Sequence, residues 1–261
     1  MIQFPMNMPS LPPYRESVDK VASAESLQSV ASATSDPEVL LGLAFLAKAG
    51  DPVRREIAKM AVRARNDYVP LFVVLSLIMD RIDEETIGKL VQCDPDNALG
   101  HYLQGTLLHI SNRESEALVE FRKAAACSEL RLYDSTIGEA LFKALDTLKL
   151  KGLDRLCALS WTASRWTNFS SLGIQPIHVA LPELARPADT ATRSELADIL
   201  LILAGHLFAT NFTNRWFARQ SVQSAFALKA ELAAAEHAPK MNGYATAIQG
   251  CRGVSKAGGV V

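Results

Sequence analysis

Cysteine is scarce in this chain, and what there is carries no pattern. Four cysteines, at 93, 127, 157 and 251, stand among 261 residues with no paired spacing. Neither a disulfide framework nor a zinc knuckle is indicated. Long hydrophobic runs are also lacking. The two longest apolar stretches are 69–79, interrupted by Pro70, and 196–209, which carries Asp198 and His206. The first is too short to span a bilayer, and the second places costly groups in hydrocarbon, so no membrane insertion is expected. The first residues have no basic segment followed by an apolar one, so no secretory signal is read and the expected location is the cytoplasm. Charge of one sign is missing too: 27 Lys+Arg face 28 Asp+Glu, which argues against broad nucleic-acid binding. No stretch alternates polar and apolar between hairpin turns, so strands are not expected.

What is present is helical punctuation. Asp36-Pro37 and Asp51-Pro52 each place an acidic cap before a proline at the first helical position. Gly50 reads as the stop between them. These signals predict a hairpin over 37–49 and 52–65. Further pairs follow at 69–80 with 83–92, 98–110 with 113–127, and 134–150 with 154–166. Residues 1–35 read as a flexible arm, with Pro5, Pro9, Pro12 and Pro13 in its first part. Residues 167–190, with Pro176, Pro182 and Pro187, read as a connection holding one short helix. Thr192-Arg-Ser-Glu195 is the pattern of a capping box that opens an apolar helix over 193–209. A last helix runs to 237, and the glycine-rich 239–261 reads as a disordered tail. The fold expected is all-α, built of antiparallel hairpins.

Hairpin starts near 37, 69, 98 and 134 suggest a helical repeat. One unit is clearest. Pro95 leads into a first helix with Gly105 and Leu108, and a second helix carries Ala117, Phe121 and Ala124. This small–large, small–aromatic–small pattern resembles a tetratricopeptide repeat over 95–128, with His101 where that family favours an aromatic. Residues 36–63, 64–94, 138–152 and 193–237 are more divergent. The resemblance implies hairpins stacked in a right-handed superhelix, over 36–166, with the 191–238 hairpin packed on it. It also implies a concave face that takes a peptide or partner protein, with Leu99, Tyr102, Thr106 and His109 facing the groove. The residues of helix 98–110 agree in character: His101, Gln104, Thr106 and His109 are polar but uncharged, while helix 113–127 shows Glu114, Glu116, Glu120, Arg122 and Lys123 as a solvated side.

Catalytic patterns are missing. There is no HExxH, GxSxG, GxxxxGK[ST] or GxGxxG, so no enzyme, cofactor or metal site is expected. Cys157 reads as a buried structural thiol. Asp83, Glu84 and Glu85 read as an acidic helix start. Arg55, Lys59 and Arg63, with Arg54 and Arg65 nearby, form a basic ridge. It is either a solvated face or a docking stripe for an acidic peptide, a lipid headgroup or a nucleic-acid phosphate, the last disfavoured because aromatics do not interleave. Trp161, Trp166 and Phe169 cluster as core or as an aromatic platform. The function expected is a non-catalytic interaction scaffold. Two alternatives stand beside it: an oligomerisation module pairing through the 193–237 hairpin, and an enzyme subunit using His178 and Glu183. The sequence sets no oligomeric state.

Overall fold

The computed structural model describes residues 23–47, 51–78, 84–210 and 212–236, without the side chains of 76–78, 161, 163–173, 212–214 and 234–236. Among the described residues the chain is helical and has no strand. The elements are α1 (Ala24–Ser32), α2 (Pro37–Leu46), α3 (Pro52–Ala64), α4 (Val69–Ile78), α5 (Glu84–Cys93), α6 (Ala98–Ile110), α7 (Glu114–Ala126), α8 (Asp134–Thr147), α9 (Gly152–Ala185), α10 (Thr190–Phe208) and α11 (Phe212–Glu236). No described helix is long and apolar enough to cross a membrane.

Local chemistry starts several of these helices. The Asp36 carboxylate accepts the Glu38 N–H at 2.9 Å and Asp51 accepts the Val53 N–H at 2.9 Å, each with proline in the first helical turn. Such a cap satisfies one of the orphan donors of the first turn. Two expectations are corrected here. The segment before residue 36 is not all arm: Ser23 caps α1, which buries Leu27 and Ala31. The Thr192 capping box is not formed either. Asp189, three residues earlier, takes the Thr192 N–H at 2.8 Å, and Glu195 instead holds Arg122 bidentately at 2.6 and 2.8 Å. A carboxylate one turn upstream reaches the same donors, which releases Glu195 for the ion pair. Gly50, Asp83, residues 1–22 and the tail from 237 lie outside the described residues.

Contacts divide the chain into two units. The first holds residues 1–100 and 131–173. In it α2 packs on α3 and on α8, and α4 packs on α5. The contact of α2 with α8 joins elements separated by the whole of α3 to α7. Gly42 makes it possible: a Cβ there would sit 2.6 Å from the Ala144 Cβ, with the Ala140 carbonyl closer still. Any side chain would push the two helices apart. A second tie in this unit is polar. Asn97 is fully buried; its Oδ1 accepts the N–H groups of Leu99 (3.1 Å) and Arg131 (2.9 Å), and its Nδ2 donates to the Arg131 carbonyl (3.0 Å). Asp94 receives the Arg131 guanidinium at 2.9 Å and the Tyr133 hydroxyl at 2.6 Å. The turn between α5 and α6 therefore clamps the segment that leads into α8.

The second unit holds 101–130 and 174–261. Here α10 and α11 form an antiparallel pair, and α10 also rests on α7. The connection expected over 167–190 is instead helical as far as Ala185, with Pro176 and Pro182 inside the helix. Each proline removes one helical hydrogen bond, at a cost of about 3 kcal/mol. Ile174, Ile177, Leu181 and Leu184 are buried on one face of the same stretch. At about 1.5–3 kcal/mol for each buried aliphatic side chain, that face offsets the two breaks. Arg193 then caps the end of α9, donating to the carbonyls of Ala185 and Ala188 at 3.1 Å and of Arg186 at 2.8 Å.

Candidate functional site

The face of α6 expected to line a groove is not open. Leu99, Tyr102 and Thr106 are fully buried, and only His109 keeps partial exposure. Within the second unit the covering groups belong to this chain. The His206 ring of α10 meets the Tyr102 ring edge-on at 6.1 Å, Phe121 of α7 lies 6.4 Å from it, and His109 Nε2 is 3.5 Å from Glu183 of α9. Thr106 donates inward to the Tyr102 carbonyl at 2.8 Å. A face that is uncharged and partly polar serves a core as well as a ligand, and the C-terminal helices have claimed it. The Tyr102 hydroxyl is buried without a partner, and burial pushes its pKa well above the usual phenol value.

The repeat-packing residues lie where two helices cross. Gly105, Leu108, Ala117, Phe121 and Ala124 are all buried, and a Cβ on Gly105 would be 2.8 Å from the Phe121 ring. Pro95 is exposed in the turn before α6. Glu120 departs from its expected solvated position. It is buried, its Oε2 lies 2.8 Å from His101 Nδ1, and its Oε1 accepts from Lys123 at 2.7 Å. Burial pushes this carboxyl up, but hydrogen bonds from Lys123 and His101 outweigh it and hold the group below the usual carboxylate range. His101, at the position where the repeat family favours an aromatic, is thus an anchor from α6 to α7.

His178 and Glu183 engage different partners. His178 Nδ1 is 3.2 Å from the Ser221 hydroxyl on α11, its ring packs on Phe217, and burial lowers its pKa from the usual imidazole value. Ser221 is fully buried, and the pair ties α9 to α11. Glu183 faces His109 instead. His206 Nε2 lies 3.2 Å from the Cys127 carbonyl, and burial lowers its pKa as well. Among the described residues no group of three or more His, Cys, Asp or Glu is placed to hold a metal. Cys157 is buried on α9.

Arg55, Lys59 and Arg63 share the exposed side of α3, and Lys59 pairs with Glu56 at 2.9 Å. That pairing lowers the pKa of Glu56. Arg54 does not join the ridge. It is buried and donates to the Ala47 carbonyl, because it shares the inward stripe with Ile57, Ala58 and Ala61. Arg65 lies at the helix end, 3.0 Å from Asp67. The side chains of Trp161, Trp166 and Phe169 lie outside the described residues.

Several large apolar side chains face solvent: Phe142, Leu153 and Leu156 in the first unit, and Ile202, Phe208, Trp216 and Phe226 in the second. The signal was present in α10, which is apolar nearly all round and therefore has an apolar outer stripe besides its buried one. No family model matches the chain, and no curated protein or solved structure matches it.

Proposed function

We propose that this chain is a non-catalytic protein–protein interaction scaffold that binds partners on the outer faces of its helical hairpins. The observation that supports this reading is the exposure of large apolar side chains on helices that are otherwise well packed. Exposed apolar groups that gather on one face mark interaction sites in soluble domains. The binding surface is accordingly assigned to α8–α9 and α10–α11, not to the covered face of α6. The tetratricopeptide resemblance is proposed for the α6–α7 hairpin alone. In a linear stack each hairpin touches only its neighbours, whereas α2 rests on α8.

The test is affinity capture with the full chain, with Phe142→Ser/Leu156→Ser and with Phe208→Ser/Phe226→Ser. Thermal melts of each variant accompany it. Partners lost in a variant that melts like the parent support the reading. The same captured set with all three chains refutes it. The second reading, self-association through the C-terminal hairpin, draws on the exposed Ile202, Phe208 and Phe226. Light scattering across a concentration series distinguishes it by mass.

A further inference from the structure

Two contacts across the C-terminal hairpin fix its register. Lys229 donates to Asp198 at 2.6 Å, and the Arg215 guanidinium lies 5.4 Å over the Phe208 ring. Between these ends each helix carries one outward stripe at helical spacing. On α10 it runs Asp198, Ile202, Gly205, Phe208; on α11 it runs Lys229, Phe226, Val222, Arg219, Arg215. The buried residues lie on other faces: Leu196, Leu200, Leu203 and Leu207 on α10, and Phe217, Ser221, Ala225 and Leu228 on α11. The hairpin therefore has a second seam, open to solvent. Phe208 is 61%, Phe226 51% and Ile202 39% exposed. Gly205 sits midway along the seam, and a Cβ there would meet nothing within 4 Å, so the floor has a dent. From Asp198 to Phe208 the seam is about 15 Å long, three helical turns.

The charge around the seam is one-sided. Between Asp198 and Glu231 the sequence has three cations, Arg215, Arg219 and Lys229, and no acid. Lys229 is held by Asp198, which leaves the two arginines at the end near the hairpin turn. We propose that this seam receives an amphipathic helix of another protein, its apolar face on Ile202, Phe208 and Phe226 and its acidic residues toward Arg215 and Arg219. The occupant is a helix because the seam lies between two parallel ridges with a central dent. It is acidic because an uncompensated cation pair selects against a basic one. A second copy of this chain brings the same arginines, and its one acid on the seam is already paired. The two terminal segments of this chain do not fit either. Residues 237–261 hold Lys240, Arg252 and Lys256 with no acid, and residues 1–22 balance Arg15 and Lys20 against Glu16 and Asp19. The proposal rests on the scaffold reading and names the partner chemistry of one of its two surfaces.

The probe is a synthetic helical peptide of about 18 residues with leucines on one face and glutamates flanking them, and its twin with every glutamate replaced by lysine. Binding to the full chain is read by fluorescence anisotropy. The glutamate peptide is expected to bind at least about tenfold tighter than the lysine one. Gly205→Trp, which fills the dent, is expected to weaken it about tenfold with an unchanged melt, and Arg215→Glu/Arg219→Glu to reverse the preference. Equal binding of the two peptides, or full binding by Gly205→Trp, overturns the proposal. Two other results overturn it by reassigning the seam. One is co-sedimentation, dependent on Arg215 and Arg219, with vesicles of roughly one-third phosphatidylserine in phosphatidylcholine, when the peptides do not bind. The other is a dimer abolished by Gly205→Trp. Failure here with partners still lost in Phe142→Ser/Leu156→Ser leaves the scaffold reading standing.

Discussion

Replacing Asn97 by alanine removes three hydrogen bonds at one buried point. Its Oδ1 holds the N–H groups of Leu99 and Arg131, and its Nδ2 holds the Arg131 carbonyl. The first bond caps α6, and losing a cap costs about 1 kcal/mol. The other two are ordinary amide bonds, each contributing about 1 kcal/mol net, and more if the backbone groups stay dry. The expected loss is about 3 kcal/mol. It should be felt at the buried Leu130 and Leu132, which flank the clamped residue. A local readout separates this loss from general loosening. In amide hydrogen exchange the Arg131 and Leu99 amides should exchange roughly a hundredfold faster in Asn97→Ala. Asn97→Asp keeps both accepted bonds and loses only the donated one. Its Arg131 amide should stay protected, but stability should fall by more than the about 1 kcal/mol of one bond, because a carboxylate oxygen then faces the Arg131 carbonyl at a fully buried position. If Asn97→Ala loses under about 1 kcal/mol in urea titration and its Arg131 amide exchanges at the parent rate, the clamp is not what fixes this segment.

Gly105→Ala should overpack the crossing at Phe121, where the added Cβ would be 2.8 Å from the ring, and cost about 1–3 kcal/mol. Pairing it with Phe121→Leu should recover part of that loss; strictly additive thermal shifts would deny the contact. Acid should destabilise the protein in two windows. Burial lowers the pKa of His178 and His206 from 6.5, so the unfolded chain takes up protons below about pH 6.5 before the fold does. Stability is then full above that pH and lost as pH falls toward the folded values. Replacing both histidines by glutamine should flatten the melting temperature between about pH 7 and 5. Glu120, held below 4.5, adds stability that is present above about pH 4.5 and lost as pH drops through its folded value. Lys149 sits in the left-handed region with φ 56° after α8, so Lys149→Gly should raise stability by about 1 kcal/mol in a chemical melt; no change would mean the strain is relieved elsewhere.

Sequence alone determined where α2 and α3 begin. An Asp-Pro pair satisfies its cap with atoms two residues away, so the local chain suffices, and α2 and α3 start where Asp36 and Asp51 put them. The absence of any period-two pattern likewise matches the all-helical chain found among the described residues. Tertiary structure alone decided which helix faces are covered. α6 and α10 carry apolar residues around most of their circumference, and periodicity cannot rank two apolar stripes on one helix. So Tyr102, read as groove, is core, while Ile202 and Phe208, on the apolar helix read over 193–209 but off its Leu196–Leu207 stripe, face solvent. The same limit applies to Glu120, whose buried place depends on His101 across a helix pair, and to Gly42, whose partner is Ala144 of α8. Pro176 and Pro182 marked a loop by local rules, and the helix through them persists because distant apolar surface covers Ile174, Ile177, Leu181 and Leu184. A cap is settled by neighbours in the chain, but burial is settled by which surface arrives from elsewhere, and that depends on the arrangement of all the helices in a unit at once.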